Sequence, residues 1–263
     1  MRYTITPVHD CSIVAARRVL RASTNASHAD LLEGIPMRPW SAIIAIAIAL
    51  GLDGCASLST TAQSEQQKLV DAADASLSNF MRDPNMGWFQ QHLAQAKGVL
   101  IAPTIVKAGF IFGGSGGRAV LVAREPQSGK WVGPAFYALL TASAGLQVGI
   151  LVSESITLVM TDRGMNALLS PSFNIGGDAS VAAGPIGVGA KSDIIADLVS
   201  FSLSKGLYGG LNLEGTLVNT ADDWNQAYYS KRVLSTDILV RATVHEPGAD
   251  KLISDITAAS GRK

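Results

Sequence analysis

Cysteine is almost absent: the chain has two in 263 residues, Cys11 and Cys55. A scaffold stapled by several disulfides is thereby excluded. Histidine is scarce as well, and only His92 and His245 lie beyond residue 54. Neither has His, Cys or Glu partners at ligand spacing, whereas a zinc site takes three or four ligands. No metal and no cofactor are expected. Neither charge sign dominates, with 21 basic and 21 acidic side chains overall, and 16 against 17 beyond residue 54. Such a balance excludes a nucleic-acid binder with a generally basic surface. Beyond Cys55 no apolar run approaches the roughly 20 residues that a membrane-spanning helix needs.

One shorter apolar run does stand out. In "MRPWSAIIAIAIALGLDGC", Met37 and Arg38 give a positive start, and Ser41 to Leu52 form 12 residues without a charge. The run is too short to span a bilayer as a helix but fits the h-region of a secretory signal. Leu52, Gly54 and Cys55 resemble a bacterial lipobox, in which the cysteine thiol is acylated and the signal removed; Asp53 departs from the small uncharged residue usual there. The expectation is a signal peptide at 37–54 and lipidation at Cys55, with 1–36 an extension ahead of the true start at Met37. An uncleaved anchor or a buried helix with an incidental cysteine is the alternative. Ala56 rather than aspartate follows the cysteine, which by lipoprotein sorting favours the outer membrane of a Gram-negative envelope.

After Cys55 come 208 residues, enough for one domain with a real core. Residues 55–67, small and polar, read as a tether, and 68–263 as the domain. From Lys68 the apolar residues Leu69, Ala73, Leu77 and Phe80 or Met81 recur at helical spacing until Asp83-Pro84. A second helix fits "NMGWFQQHLAQAK", with Phe89, Leu93 and Ala96 on one side and Lys97-Gly98 as its end. Thereafter the texture changes. Twenty of the 26 glycines fall between Gly98 and Gly215, among short blocks such as "GVLIAP", "AGFIFGG", "RAVLVAR", "KWVGPAFYAL", "GLQVGILV" and "SITLVM", which read as strands. "VSFSLS" alternates, with Val199, Phe201 and Leu203 facing a core and Ser200, Ser202 and Ser204 facing away. Short helices are expected from an Asp162 N-cap, from a capping box at Thr220 and Asp223, and through Leu252, Ile253 and Ile256. The fold class is α+β, a glycine-rich antiparallel β barrel or sandwich flanked by N-terminal and C-terminal helices.

Two motifs invite a chemical reading. Gly113 to Gly117 satisfies G-x-S-x-G with Ser115 as nucleophile, and Gly114 to Ala119 satisfies G-x-G-x-x-A. Both need a strand before and a helix after. The motif runs instead into the β-rich "RAVLVAR", so a tight glycine turn between two strands is the preferred reading, and a hydrolase at Ser115 the lesser one. "AGPIGVGAKSD" reads as a bent strand or bulge; its alternative is an anion-binding nest beside Lys191.

The blocks "AKGVLIAPTIVKAGFIFGGSGGRAVLVAR", "GLQVGI", "DASVAAGPIGVGA", "SFSLSKGLYGGLNLEG" and "YYSKRVLSTDIL" occur in the order and spacing of the SYLF domain, and Gln66 to Leu239 resemble that family. It includes bacterial lipoproteins and eukaryotic proteins that join a phosphoinositide-binding domain to actin-regulatory modules. The resemblance implies lipid binding through an N-terminal amphipathic helix with basic residues and, in fungi, actin bundling. Here the matching helix carries Lys68 and Arg82 against Asp71 and Asp74, and Val188 and Gly189 stand where an arginine is expected. The reading is a non-enzymatic envelope lipoprotein at the periplasmic face of the outer membrane, with acyl chains on Cys55 and membrane lipid as partner. Its candidate lipid-binding cations are Lys68, Arg82, Lys97, Lys107 and Arg118, on or beside the helix face and the first hairpin. An envelope protein-interaction module is the alternative from another class.

Overall fold

A computed structural model describes residues 64–109, 112–144, 149–187, 194–204, 207–208 and 215–261. The chain divides into two units, Met1–Thr60 and Thr61–Lys263. The signal segment, Cys55 and the tether up to residue 63 lie outside the described residues, as do Val188, Gly189 and Lys191.

Helix α1, Glu65–Arg82, starts when the Ser64 hydroxyl accepts the N–H of Gln67 at 3.1 Å. That is three residues before the start set by apolar spacing alone. Its inner face is Val70, Ala73, Leu77 and Phe80, all buried. Asp83 ends it and caps the 3-10 turn Pro84–Met86 that leads into α2, Gly87–His92. The Lys251 ammonium reaches back to Asp74, tying α1 to the last helix of the chain, α6, Asp250–Ser260.

The strands are β1 Gly98–Gly109, β2 Phe112–Arg124, β3 Trp131–Ala144, β4 Gly149–Val159, β5 Ser172–Asn174, β6 Val181–Ala183, β7 Leu198–Ser204, β8 Leu207–Tyr208 and β9 Leu217–Thr220. They form one curled half-barrel sheet in the order β5-β9-β3-β2-β1-β4-β7-β6, with β8 on β7. Every pairing between these strands is antiparallel except β6 with β7. The α+β class, the glycine-rich sheet and the flanking helices are therefore as expected. Helix α3, Asp162–Leu169, is capped by Thr161, one residue before the expected Asp162. Helix α4, Asp222–Tyr229, has no side-chain cap, because Thr220 is held in β9 opposite Tyr137 and the capping box cannot form. A further short helix, α5, Ser235–Leu239, packs on β3.

Both faces of the sheet are covered over much of its area. On one face Phe136 meets Trp224 and Tyr228 of α4, and Phe201 meets Trp88 and Phe89 of α2. On the other, the Tyr137 hydroxyl donates to the Leu168 carbonyl of α3 at 2.8 Å. This two-sided cover corrects the expectation for β7. Ser200 and Ser202 are buried rather than solvent-facing, and Ser200 shares hydrogen bonds with Ser155 and Thr157 of β4. Among the described residues no helix is long and apolar enough to cross a membrane.

Candidate functional site

The glycine motif is not a turn. Gly113, Gly114, Ser115, Gly116 and Gly117 all lie inside β2, paired on one side with β1 and on the other with β3. Ser115 stands between Lys107 and Thr141 in mid-strand. The next element after β2 is the strand β3, so the strand-to-helix junction that a nucleophile elbow or dinucleotide fingerprint requires is missing here. One of these glycines has a steric reason. The register of β1 shifts between Ile101 and Thr104, and a Cβ on Gly117 would fall on the Thr104 carbonyl oxygen, 2.5 Å away. In the "AGPIG" block, Gly184 lies so close to the Phe201 ring that any side chain there would collide with it.

The five candidate cations occupy different places. Lys68, near the start of α1, pairs with Glu65 at 2.7 Å, both exposed. Arg82 ends the same helix, about 20 Å away along the axis. There it lines a cleft of about 220 Å³ with Leu77, Met81 and Asp255. Lys97 precedes β1 and pairs with Asp162 at 2.9 Å. Lys107 lies near the far end of β1, about 33 Å along the strand from Lys97. Arg118, on β2, is directed onto the Trp224 ring, its guanidinium carbon 4.2 Å from the ring centre. Only Lys107 and Arg118 share one end of one hairpin, and they point to opposite faces: Arg118 is opposite Thr104, three residues from Lys107 on β1.

Among the shifted carboxylates, Asp197 stands at a junction of elements. The Thr161 hydroxyl, the Ser180 N–H and hydroxyl, and the Arg163 guanidinium all favour its carboxylate and hold its pKa below the ordinary value. These bonds join the start of α3 to the starts of β6 and β7, a structural junction rather than an open site. Burial raises Tyr137, Tyr228 and Tyr229, which remain neutral phenols in the core. His92 stacks on Trp88 at 3.8 Å, and His245 pairs with Asp250 at 3.3 Å. Among the described residues no group of three His, Cys, Asp or Glu side chains is placed to hold a metal ion.

The family of Las17-binding protein actin regulators, Ysc84, matches residues 140–259, from the end of β3 to the end of α6. This Ysc84 (SYLF) match agrees with the resemblance read from the sequence. It is 30% identical to the human SH3 domain-containing YSC84-like protein 1 over 165 residues, 61% of this chain and 48% of that protein. With Protein YSC84 of Saccharomyces cerevisiae it shares 32% identity over 168 residues, 61% of this chain and 36% of the relative. LAS seventeen-binding protein 3 of the same yeast is 32% identical over 167 residues, again 61% and 36%. The chain thus spans half or less of the length of these relatives. The family match begins after all five candidate cations, so none of them falls within the matched part of the SYLF domain.

Sequence reasoning missed one feature of this surface. At the end of the sheet that carries Lys107 and Arg118, apolar side chains on the face that carries α2 and α4 stand exposed. The alternation of Val106 and Ala108 around Lys107 is visible in the sequence, but which face the helices leave open is decided by tertiary packing.

Proposed function

We propose that the protein is a non-enzymatic bacterial lipoprotein, held by acyl chains on Cys55, whose SYLF domain contacts lipid at the periplasmic face of the outer membrane. The sequence Leu52-Asp53-Gly54-Cys55 behind a charge-free run of 12 residues carries this reading. Each buried methylene contributes about 0.8 kcal/mol, so one chain binds marginally while two or three hold stably. A compact unit beginning at Thr61, soon after that cysteine, suits a domain hung from a short tether. The mid-strand position of Ser115 supports a non-enzymatic role, and neither a cofactor nor nucleic acid enters the reading. Labelled palmitate supplied to cells making the full chain and its Cys55→Ser variant tests the anchor. Label in the wild type and none in the variant is expected; label in neither overturns it.

A second reading takes its support from the relatives' names. The SYLF domain then binds a protein, an actin-like filament or its regulator, and the lipid only sets the address. Co-sedimentation of the Thr61–Lys263 unit with purified actin filaments distinguishes the two. Saturable pelleting with actin favours the second reading, and its absence favours the first.

A further inference from the structure

Strand register places two apolar rows side by side on the face that carries α2 and α4. The first runs Val152, Val106, Gly116, Leu140 and Leu217 across β4, β1, β2, β3 and β9. The second runs Ile150, Ala108, Gly114 and Ala142 across β4, β1, β2 and β3. Alternate residues of a strand share a face and directly paired residues are about 5 Å apart, so the rows are continuous. Val106 is 43% exposed, Leu140 53%, Ile150 73%, Val152 39% and Leu217 39%. These are five of the seven large apolar side chains exposed among the described residues, gathered on one strip without a charge. A contiguous apolar patch of this kind marks a contact surface.

Its borders and its place in the chain select the occupant. One row inward stand Thr104, Arg118, Ala138 and Asn219, with Arg118 over Trp224. Lys107 projects to the opposite face between Val106 and Ala108. Glu154, next after Val152 on that face of β4, is half-buried with one oxygen enclosed. Apolar side chains edged on this face by Arg118 and a tryptophan, with Glu154 partly withdrawn from the surface, suit acyl chains below a layer of head-group phosphates. The rows lie where β1 and β3 finish and β2 and β4 begin, an end of the sheet that can dip into a surface while the helices stay outside. Eight residues lie between Cys55 and Ser64, nine steps with a reach of at most about 32 Å, so an anchored domain is kept close to the bilayer.

We infer that the two rows are the part of the domain that enters the bilayer surface, with Arg118, one row inward, at the level of the phosphates. The inference rests on the reading that the domain contacts lipid, and it assigns that contact to the end of the sheet rather than to α1.

The test uses the Thr61–Lys263 unit, which contains every core residue among the described residues, and vesicles of phosphatidylethanolamine and phosphatidylglycerol. Two variants are paired with it. Leu140→Ser with Ile150→Ser removes exposed apolar groups, and Gly116→Asp puts a charge mid-row where a Cβ has ordinary room. Unchanged circular dichroism and urea midpoint establish that both remain folded. The wild-type unit is expected to bind and to stay bound in about 1 M salt, where charge attraction is screened, and each variant to bind about tenfold more weakly or less. Wild-type binding that both variants retain overturns the assignment to this face and leaves lipid contact by the domain standing. No binding by the wild type overturns both, while leaving the acyl anchor to its own test. A unit that ignores vesicles but dimerises, with the dimer broken by the same substitutions, assigns the rows to a second copy of the chain and overturns the proposal.

Discussion

Arg118 of β2 lies over the Trp224 ring of α4, with the guanidinium carbon 4.2 Å from the ring centre. The indole in turn packs on Phe136 at 5.9 Å, so one cation closes the margin of the helix-side core next to the open rows. Arg118→Gln is expected to lower stability by about 0.5–1 kcal/mol, read from the urea midpoint. Arg118→Lys keeps the charge but loses the planar stack. The lysine variant should therefore lose stability while keeping its preference for anionic over neutral vesicles, whereas the glutamine variant loses both. Equal vesicle preference in the two variants would remove Arg118 from the lipid rim.

Asp197 ties together three elements, and its amide replaces it only at a cost. One carboxylate oxygen accepts from Thr161 and the other accepts both the N–H and the hydroxyl of Ser180. An NH₂ group on the Ser180 side meets two donors, and on the Thr161 side the hydroxyl, which already accepts the Gly164 N–H, has to turn its own proton away to accept it. Asp197→Asn is expected to cost about 1–3 kcal/mol at neutral pH. Because the Thr161 hydrogen bond foremost depresses the folded pKa, the stability it confers is present above the ordinary carboxylate value and is lost as pH falls through the lower folded value. Urea titrations in acid should accordingly find wild type and variant converging. A gap that stays constant from neutral pH into acid contradicts the role.

Lys251 holds two carboxylates of opposite tendency. It donates to Asp74 and, at 2.8 Å, to Asp255. Burial raises the pKa of Asp74, while the Lys251 hydrogen bond lowers that of Asp255. The signs of their linkage to stability therefore differ. The favourable contribution from Asp74 is complete below its ordinary value and fades as pH rises through the raised one. That from Asp255 is complete above the ordinary value and fades as pH falls through the lowered one. Relative to wild type, Asp74→Asn should gain stability on going from acid to neutral pH, and Asp255→Asn should lose it. Thermal unfolding of both variants across that range checks the pair.

Neighbouring glycines of β2 should differ sharply. A methyl on Gly117 meets the Thr104 carbonyl at 2.5 Å, whereas one on Gly116 meets nothing closer than 3.6 Å. Gly117→Ala is expected to destabilise by about 1–3 kcal/mol, as overpacking does, and Gly116→Ala to change little. Urea midpoints of the two single variants decide it.

Legibility in the sequence depends on which interactions are local. The apolar faces of α1 and α6 repeat every three or four residues, and both helices stand where that spacing puts them. Caps are legible only to within a few residues, since Ser64 and Thr161 compete with equally capable neighbours. The Gly113–Gly117 run reads as a turn because glycine signals freedom of the backbone, while here Gly117 serves a close approach created by the β1 bulge, a long-range event. The serines of β7 look solvent-facing by alternation, yet the sheet is covered on both sides and they bond to β4 instead. At the candidate site, residue type singles out five cations, but the charge-free rows beside two of them emerge only from register across five strands.

The mass of the intact protein, isolated from bacterial membranes without proteolysis, bears most directly on the proposed anchor. A chain that begins at Cys55 and carries the added mass of two or three acyl groups is the expected result. A polypeptide of unmodified mass that still includes residues 1–54 contradicts it.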